Sequence, residues 1–268
     1  MDAMTAGERA PAAAGAEPFI RLENVSKVYG KGEETFLAVS DVTMSVMAGE
    51  LVSLVGPSGC GKTTVLKILA DLHEASGGTV EIGNARTPFV HGRDVGMVFQ
   101  QPLLLKWRTI AENVLLPAEI LGLPLKAARS RAKDLLALVG LRGFEDRKPY
   151  ELSGGMQQRA AIARALVHDP KLVLMDEPFG ALDALTRERM NLELLRIWEE
   201  SGKTILFVTH SIQEAVLMGS HCAVLTAGPA RMADYFPIDL PYPRRLDMRQ
   251  SPEFGAYARR IYDLLGME

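Results

Sequence analysis

Gly56-Pro57-Ser58-Gly59-Cys60-Gly61-Lys62-Thr63-Thr64 follows the apolar run Leu51-Val52-Ser53-Leu54-Val55 and leads into Val65-Leu66-Lys67-Ile68-Leu69. The run before it has strand character, and the residues after it have helical spacing. Strand, glycine-rich turn, Lys-Thr and helix in that order fit the phosphate-binding loop G-x-x-x-x-G-K-[ST]. The glycines let the backbone curl so that its N–H groups point inward, and the helix N-terminus adds partial positive charge. Lys62 would reach the β- and γ-phosphates as a point charge, and Thr63 would offer its hydroxyl to Mg²⁺. The stretch predicts a nucleoside-triphosphate site.

Working outward, composition bounds what surrounds that site. The chain has 268 residues, 47% apolar and 24% charged, room for one large α/β domain or a domain with a smaller inserted lobe. Net charge is −3 at pH 7, so there is no global basic field of the kind nucleic-acid binders carry, and no nucleic-acid partner is expected. Cys60 lies inside the phosphate loop and Cys222 in an apolar run, which suits reduced thiols in a cytosolic protein better than a disulfide. No apolar run approaches the ~18–20 residues of a membrane helix. Met1–Pro18 is rich in Ala, Gly and Glu, without a basic n-region or apolar h-region, and reads as a disordered leader (residues 1–18).

Strands are expected at Phe19–Val25 and around Val42, Met44 and Val46, with Tyr29 in the connection between them, where an aromatic can stack on a purine or anchor a loop. Gly77-Gly78 turns the chain into Thr79–Ile82, and Asp94–Phe99 reads as a further short strand. From Leu103 to Tyr150 there is no strand alternation. Thr109-Ile110-Ala111-Glu112 is a capping-box signature, and a helix from Pro124 through Leu138 ends before Gly140. This predicts a helical subdomain at about 103–158, inserted into an α/β domain spanning 19–240. The α/β pattern resumes with a helix to about Val167 and a strand Lys171–Met175. Then come a helix Thr186–Glu200, a strand Thr204–Val208, a helix capped by Ser211-Ile212-Gln213-Glu214, and a strand Cys222–Thr226. A C-terminal tail, 241–268, is expected to be helical at Phe254–Leu265.

Leu172-Val173-Leu174-Met175-Asp176 has the form of a buried parallel strand that ends in a carboxylate. Ligands of open α/β sheets bind at such strand ends, so Asp176 is placed to hold Mg²⁺ through water, and Glu177 to polarise an attacking water. Leu152-Ser153-Gly154-Gly155-Met156-Gln157-Gln158-Arg159 puts small, flexible residues before a helix, a second anion site in the same chain. One nucleotide does not need two such sites within one subunit, whereas two copies facing head to tail would use both.

At this point the sequence resembles the ATP-binding cassette (ABC) family over nearly all of Phe19–Pro237. The order matches throughout: Tyr29, the phosphate loop, Gln100, the Leu152–Arg159 signature, Asp176-Glu177, Ala181-Leu182-Asp183 and His210. The resemblance implies an α/β P-loop NTPase core with an antiparallel β subdomain and the inserted helical subdomain. It implies an ATP hydrolase working with ATP and Mg²⁺. Tyr29 would stack on the base, and Gln100 would contact Mg²⁺ and the attacking water. His210 would contact the γ-phosphate and orient Glu177, Asp183 would act across a dimer interface, and Ser153, Gly154, Gly155 and Gln157 would face the nucleotide of the partner copy. A homodimer closed around two Mg-ATP would power separate membrane permease subunits, with an extracytoplasmic solute-binding protein, from the cytoplasmic face of the cell membrane.

Within the family, Phe99–Thr109 and the tail stretches Pro241–Asp247 and Ser251–Phe254 resemble importers of nitrate, sulfonate and taurine, although Lys106 stands where that group has Pro before Trp107. Trp107 could equally fill the core of the lobe, and the tail arginines could be a solvated face. The alternatives are an exporter or lipid or peptide system, and a non-transport cassette. DNA-repair cassettes carry long coiled-coil insertions, and Leu103–Tyr150 is too short and lacks sustained heptads.

Overall fold

The computed structural model describes residues 17–31 and 34–266. Residues 1–16 of the expected leader lie outside the described residues.

Two sheets organise the chain. Ile20–Lys31 (β1) pairs antiparallel with Glu34–Val46 (β2) and with Gly77–Ile82 (β4), in the order β2-β1-β4. Val42, Met44 and Val46 alternate inward as the period-2 pattern requires. The first strand runs six residues past the end expected at Val25, so Tyr29 sits on β1 opposite Phe36 and not in a connection. Register shifts after Leu22, Val25 and Lys27 break the alternation that would have betrayed the strand.

The larger sheet has the order β5-β6-β7-β3-β8-β9. It is built from Leu51–Val55 (β3), Val95–Val98 (β5), Leu172–Asp176 (β6), Thr204–Val208 (β7), His221–Leu225 (β8) and Met232–Pro237 (β9). All neighbours pair in parallel except β9, which runs antiparallel along β8. β9 is absent from the sequence reading because Met-Ala-Asp-Tyr-Phe-Pro is partly exposed and does not alternate. β3, β6 and β7 are buried at every residue, the mark of strands covered on both faces. Val173 and Met175 join the core beneath the helices, while Leu172 and Leu174 join the core shared with β1 and β2.

The helices are Lys62–Leu69 (α1), the short His91–Asp94 (α2), Ile110–Ile120 (α3), Leu125–Leu138 (α4), Gly154–Leu166 (α5), Ala184–Ser201 (α6), Ile212–Met218 (α7) and Pro252–Leu264 (α8). α3, α4 and α5 fall between β5 and β6 and pack on one another. The capping box forms: Thr109 Oγ1 accepts from Glu112 N, and Glu112 accepts from Thr109 N at 2.6 Å. Fully buried Asn113 donates to the carbonyls of Leu105, Arg108 and Thr109 and accepts from Leu105 N, fixing the entry to α3.

In the tail, Arg244 is buried, with guanidinium bonds of 2.8 Å to the carbonyls of Val216 and Ile238 and its cation 4.3 Å from the Tyr242 ring. A solvated face therefore describes Arg245, which is exposed and paired with Asp247, but not Arg244. Trp107 does not fill the helical core; it is 73% exposed.

Candidate functional site

β6, β7 and β3 are adjacent and parallel, so the turns after them open side by side. Backbone bonds align those ends: Glu177 N donates to Val208 O at 3.0 Å, and Thr209 N donates to Leu54 O at 3.2 Å. The phosphate loop follows β3, Asp176-Glu177 closes β6, and His210 follows β7.

The loop's glycines are required where they stand. Gly61 has φ +120°, and a Cβ there would lie 2.7 Å from Ala38 O; a Cβ on Gly56 would lie 2.8 Å from Leu225 O. β2 and β8 thus press on the loop from outside and hold its curl. Lys62 is buried, and its ammonium donates to the carbonyls of Gly56 and Pro57, both at 2.8 Å, so the cation stays over the loop. Pro57 and Cys60 close the turn through a 3.2 Å backbone bond, with Ser58 and Gly59 exposed at its tip.

Thr63 Oγ1 lies 3.1 and 2.9 Å from the two carboxylate oxygens of Asp176. Burial pushes the Asp176 carboxyl up and neighbouring Glu177 adds to the shift, while the Thr63 hydrogen bond and Lys62 oppose it. A buried carboxylate beside a hydroxyl is a pair of hard oxygen donors short of positive charge, which fits Mg²⁺. Among the described residues, no group of three or more His, Cys, Asp or Glu side chains is placed to hold a metal ion. The donor set suits a cation that also takes nucleotide oxygens and water.

Glu177 has φ +43°, rare for a residue with a side chain, and its N–H bond to Val208 holds it there. That turn presents Oε2 to two partners: His210 Nδ1 at 3.2 Å and Gln100 Nε2 at 3.5 Å. Two residues that follow other strands, His210 after β7 and Gln100 after β5, thus converge on one oxygen of the carboxylate at the end of β6. Tyr29 approaches from β1, with its hydroxyl 3.5 Å from Thr64 Oγ1 and its ring edge-on to His73.

Ser153, Gly154, Gly155 and Asp183 gather elsewhere. Ser153 caps α5 by accepting from Met156 N, and Asp183 caps α6 by accepting from Thr186 N at 3.0 Å. The Thr186 N–H bond holds the Asp183 carboxyl below the usual carboxylate range. These residues line a groove of about 330 Å³ with Arg159, Ala181 and Leu182, and no residue of the phosphate loop lines it. Gln157 turns its amide onto its own loop, donating to the carbonyls of Pro149 and Leu152.

Two residues missed by the sequence reading fix Gln100. Fully buried Gln158 donates to Phe99 O at 2.9 Å, and Arg164 donates to the carbonyls of Leu103 and Pro102. The available signal was a glutamine in register with Ala161 and Ala165 on the apolar face of a helix, where a polar side chain needs a partner.

The family profile described as ABC transporter matches residues 39–180. An ABC transporter ATP-binding protein of Methanocaldococcus jannaschii is 44% identical over 246 residues, 92% of this chain and 91% of its own. A taurine import ATP-binding protein of Pelagibacter ubique is 47% identical over 205 residues, 74% of this chain and 75% of its own. An aliphatic sulfonates import ATP-binding protein of Bacillus licheniformis is 42% identical over 235 residues, 88% of this chain and 89% of its own. Among solved structures, a dimeric ATP-binding cassette in a post-hydrolysis state with ADP and Pi is 35% identical, with a TM-score of 0.74 over 83% of this chain and 100% of that one. A nucleotide loop pressed into shape by two sheets, a carboxylate centre at three strand ends and relatives of this length and identity lead to one conclusion: the chain belongs to the ABC transporter family and is an ATP-hydrolysing cassette.

Proposed function

We propose that two copies of the chain close head to tail around two Mg-ATP and power import of a small anion such as nitrate, a sulfonate or taurine through separate permease subunits. One observation carries the dimer: Ser153–Gly155, the segment whose sequence reads as a second anion site, lines a groove to which no residue of the phosphate loop contributes. A second copy supplies the missing half. Tyr29 then stacks on the base, and residues 56–64 with Lys62 cradle the phosphates. Mg²⁺, held by Thr63 and Asp176 and met by Gln100, supplies charge neutralisation at the phosphates when bound. Glu177 takes the proton of the attacking water, while His210 orients Glu177 and meets the γ-phosphate. Ser153, Gly154, Gly155, Gln157 and Asp183 act on the nucleotide held by the partner. Closure is favoured only while the γ-phosphate bridges the copies, so hydrolysis reopens them.

The permease reading is supported by the helical subdomain at about 103–158. Leu103, Trp107 and Ile120 are exposed, by 54%, 73% and 74%. Leu103 and Ile120 line a groove of about 340 Å³ with Met97, Phe99, Leu116 and Pro117. Among the described residues no helix is long and apolar enough to cross a membrane; on this reading spanning partner subunits carry the solute and the chain works beside them as a peripheral subunit at the cytoplasmic face. The import reading is supported by the taurine and sulfonate relatives; the alternative is an exporter ATPase, which differs in its partner.

The test is purification of a tagged copy from native membranes in mild detergent. A multi-span protein, with an extracytoplasmic solute-binding protein encountered in the same complex, is the expected result. Recovery with ribosomes, DNA or no membrane protein would remove the transport reading.

A further inference from the structure

His210 is 56% exposed in its side chain, and its ring meets Glu177 at a single nitrogen. A ring so exposed needs its backbone held if that 3.2 Å contact is to persist. The residues on either side of it are bonded to one another. Thr209 Oγ1 accepts from Ser211 N at 3.0 Å, and its hydroxyl donates to Glu214 Oε2 at 2.6 Å. Ser211 in turn caps α7 by accepting from Glu214 N. Thr209 and Glu214 are both buried. The other oxygen of Glu214 lies 3.8 Å from Arg187 Nε, and Arg187 Nη2 donates to Leu182 O at 3.1 Å.

The chain of contacts therefore runs from Leu182, beside Asp183, through Arg187, Glu214 and Thr209 to the backbone on both sides of His210. All of these except Leu182 share a small void of about 10 Å³ with Glu177 and Gly180, room for about one water. The Thr209–Ser211–Glu214 part is hydrogen-bonded throughout, and polar contacts satisfied in this way rigidify what they hold; the Arg187 Nε–Glu214 link to it is an ion pair without a hydrogen bond. We infer that Arg187, Glu214 and Thr209 are positioning residues for ATP hydrolysis, fixing His210 against Glu177 and tying that contact to the Ala181–Asp183 segment. This rests on the roles proposed above for His210 and Glu177.

The test compares Thr209→Val, Thr209→Ser, Glu214→Gln and His210→Ala in ATP turnover, with ¹H–¹³C spectra of ring-labelled histidine. The chain has five histidines, and the His210 signal is the one that vanishes in His210→Ala. The expected result is an about tenfold loss of kcat in Thr209→Val and Glu214→Gln, with KM and ATP-analogue affinity within about twofold of wild type. In both, the His210 signal moves while the other ring signals stay in place, which general unfolding would not produce. Thr209→Ser keeps the hydroxyl and restores both rate and signal. Wild-type turnover in Thr209→Val and Glu214→Gln, or lost turnover with an unmoved His210 signal, overturns the inference. Loss in His210→Ala beside intact relay variants sinks the relay alone, whereas wild-type turnover in His210→Ala sinks the His210 assignment and the relay with it.

Discussion

Gln158 donates its buried side-chain amide to the backbone carbonyl of Phe99 at 2.9 Å, joining the helix behind Ser153 to the residue before Gln100. The bond spans two parts of the chain with different jobs: one faces the groove of Ser153–Gly155, the other meets Glu177. Gln158→Leu keeps the bulk and removes the donor, leaving Phe99 O without it. Stability is expected to fall by about 1–3 kcal/mol, the cost of an unpaired buried polar group. Urea denaturation of the two proteins measures it, and an unchanged midpoint would show the bond to be dispensable.

Glu177→Gln leaves the turn and its N–H bond to Val208 in place, but removes the carboxylate proposed as the base. ATP binding is expected to persist, turnover to fall by about 10²–10⁴-fold, and dimers to accumulate with ATP because the closed form is no longer consumed. Phosphate release and size-exclusion chromatography with ATP check both halves. Wild-type hydrolysis would remove Glu177 from its assigned role.

Lys62 sits over its loop with two carbonyl partners and needs little rearrangement to meet a phosphate. Lys62→Ala loses a charged hydrogen-bond donor, an effect of about 1.5–3 kcal/mol. Titration with a non-hydrolysable ATP analogue should show affinity about 10–100-fold weaker.

Gly61 and Gly154 should separate folding from assembly. Gly61→Ala puts a Cβ 2.7 Å from Ala38 O at φ +120°, so both nucleotide binding and the melting temperature should drop. Gly154 has open space around its Cα, so Gly154→Ala should leave the isolated chain's stability within about 0.5 kcal/mol. Turnover is expected to fall nonetheless, because the added methyl occupies the surface on which a partner's nucleotide would close. Calorimetry and ATPase assays on the same preparations distinguish the two variants.

Burial raises the Asp176 pKa, so between the unfolded value of about 3.9 and the raised native value the folded chain holds more protons than the unfolded one. This group's contribution to stability therefore falls as pH rises through that window and remains unfavourable at neutral pH. Asp176→Asn, without nucleotide, should melt higher than wild type at pH 7, by a margin that shrinks as pH is lowered through the window. A margin independent of pH would exclude the carboxylate's burial as its cause. Turnover in Asp176→Asn should be lost.

The parallel strands were legible because each is short, mostly apolar and bounded by turn residues, and Thr109 and Ser211 announced their helices through the acceptor they offer. What escaped the sequence was of two kinds. β9 and the far half of β1 are strands with polar or bulged positions, held by a neighbour's backbone and not by their own alternation. Gln158, Arg164 and Arg244 act through carbonyls remote in sequence, which no local pattern encodes. The phosphate loop and Asp176-Glu177 stood out because they are runs of consecutive residues with strand or helix context, whereas His210, a lone residue after a strand, entered only through the resemblance to the family. The convergence of Gln100, Glu177 and His210 on one oxygen is a product of strand order.

Arg244 also sets how the protein can be cut or joined. Its guanidinium reaches back to Val216 at the end of α7 and to Ile238 just past β9. A truncation or fusion made at residue 240 would uncap both carbonyls and uncover the surface on which Phe254 and Ile261 are buried. The segment after 240 therefore behaves as a clasp on the back of the ATPase, and an engineered minimal cassette should extend through α8, with any tag or fused partner joined beyond Leu264.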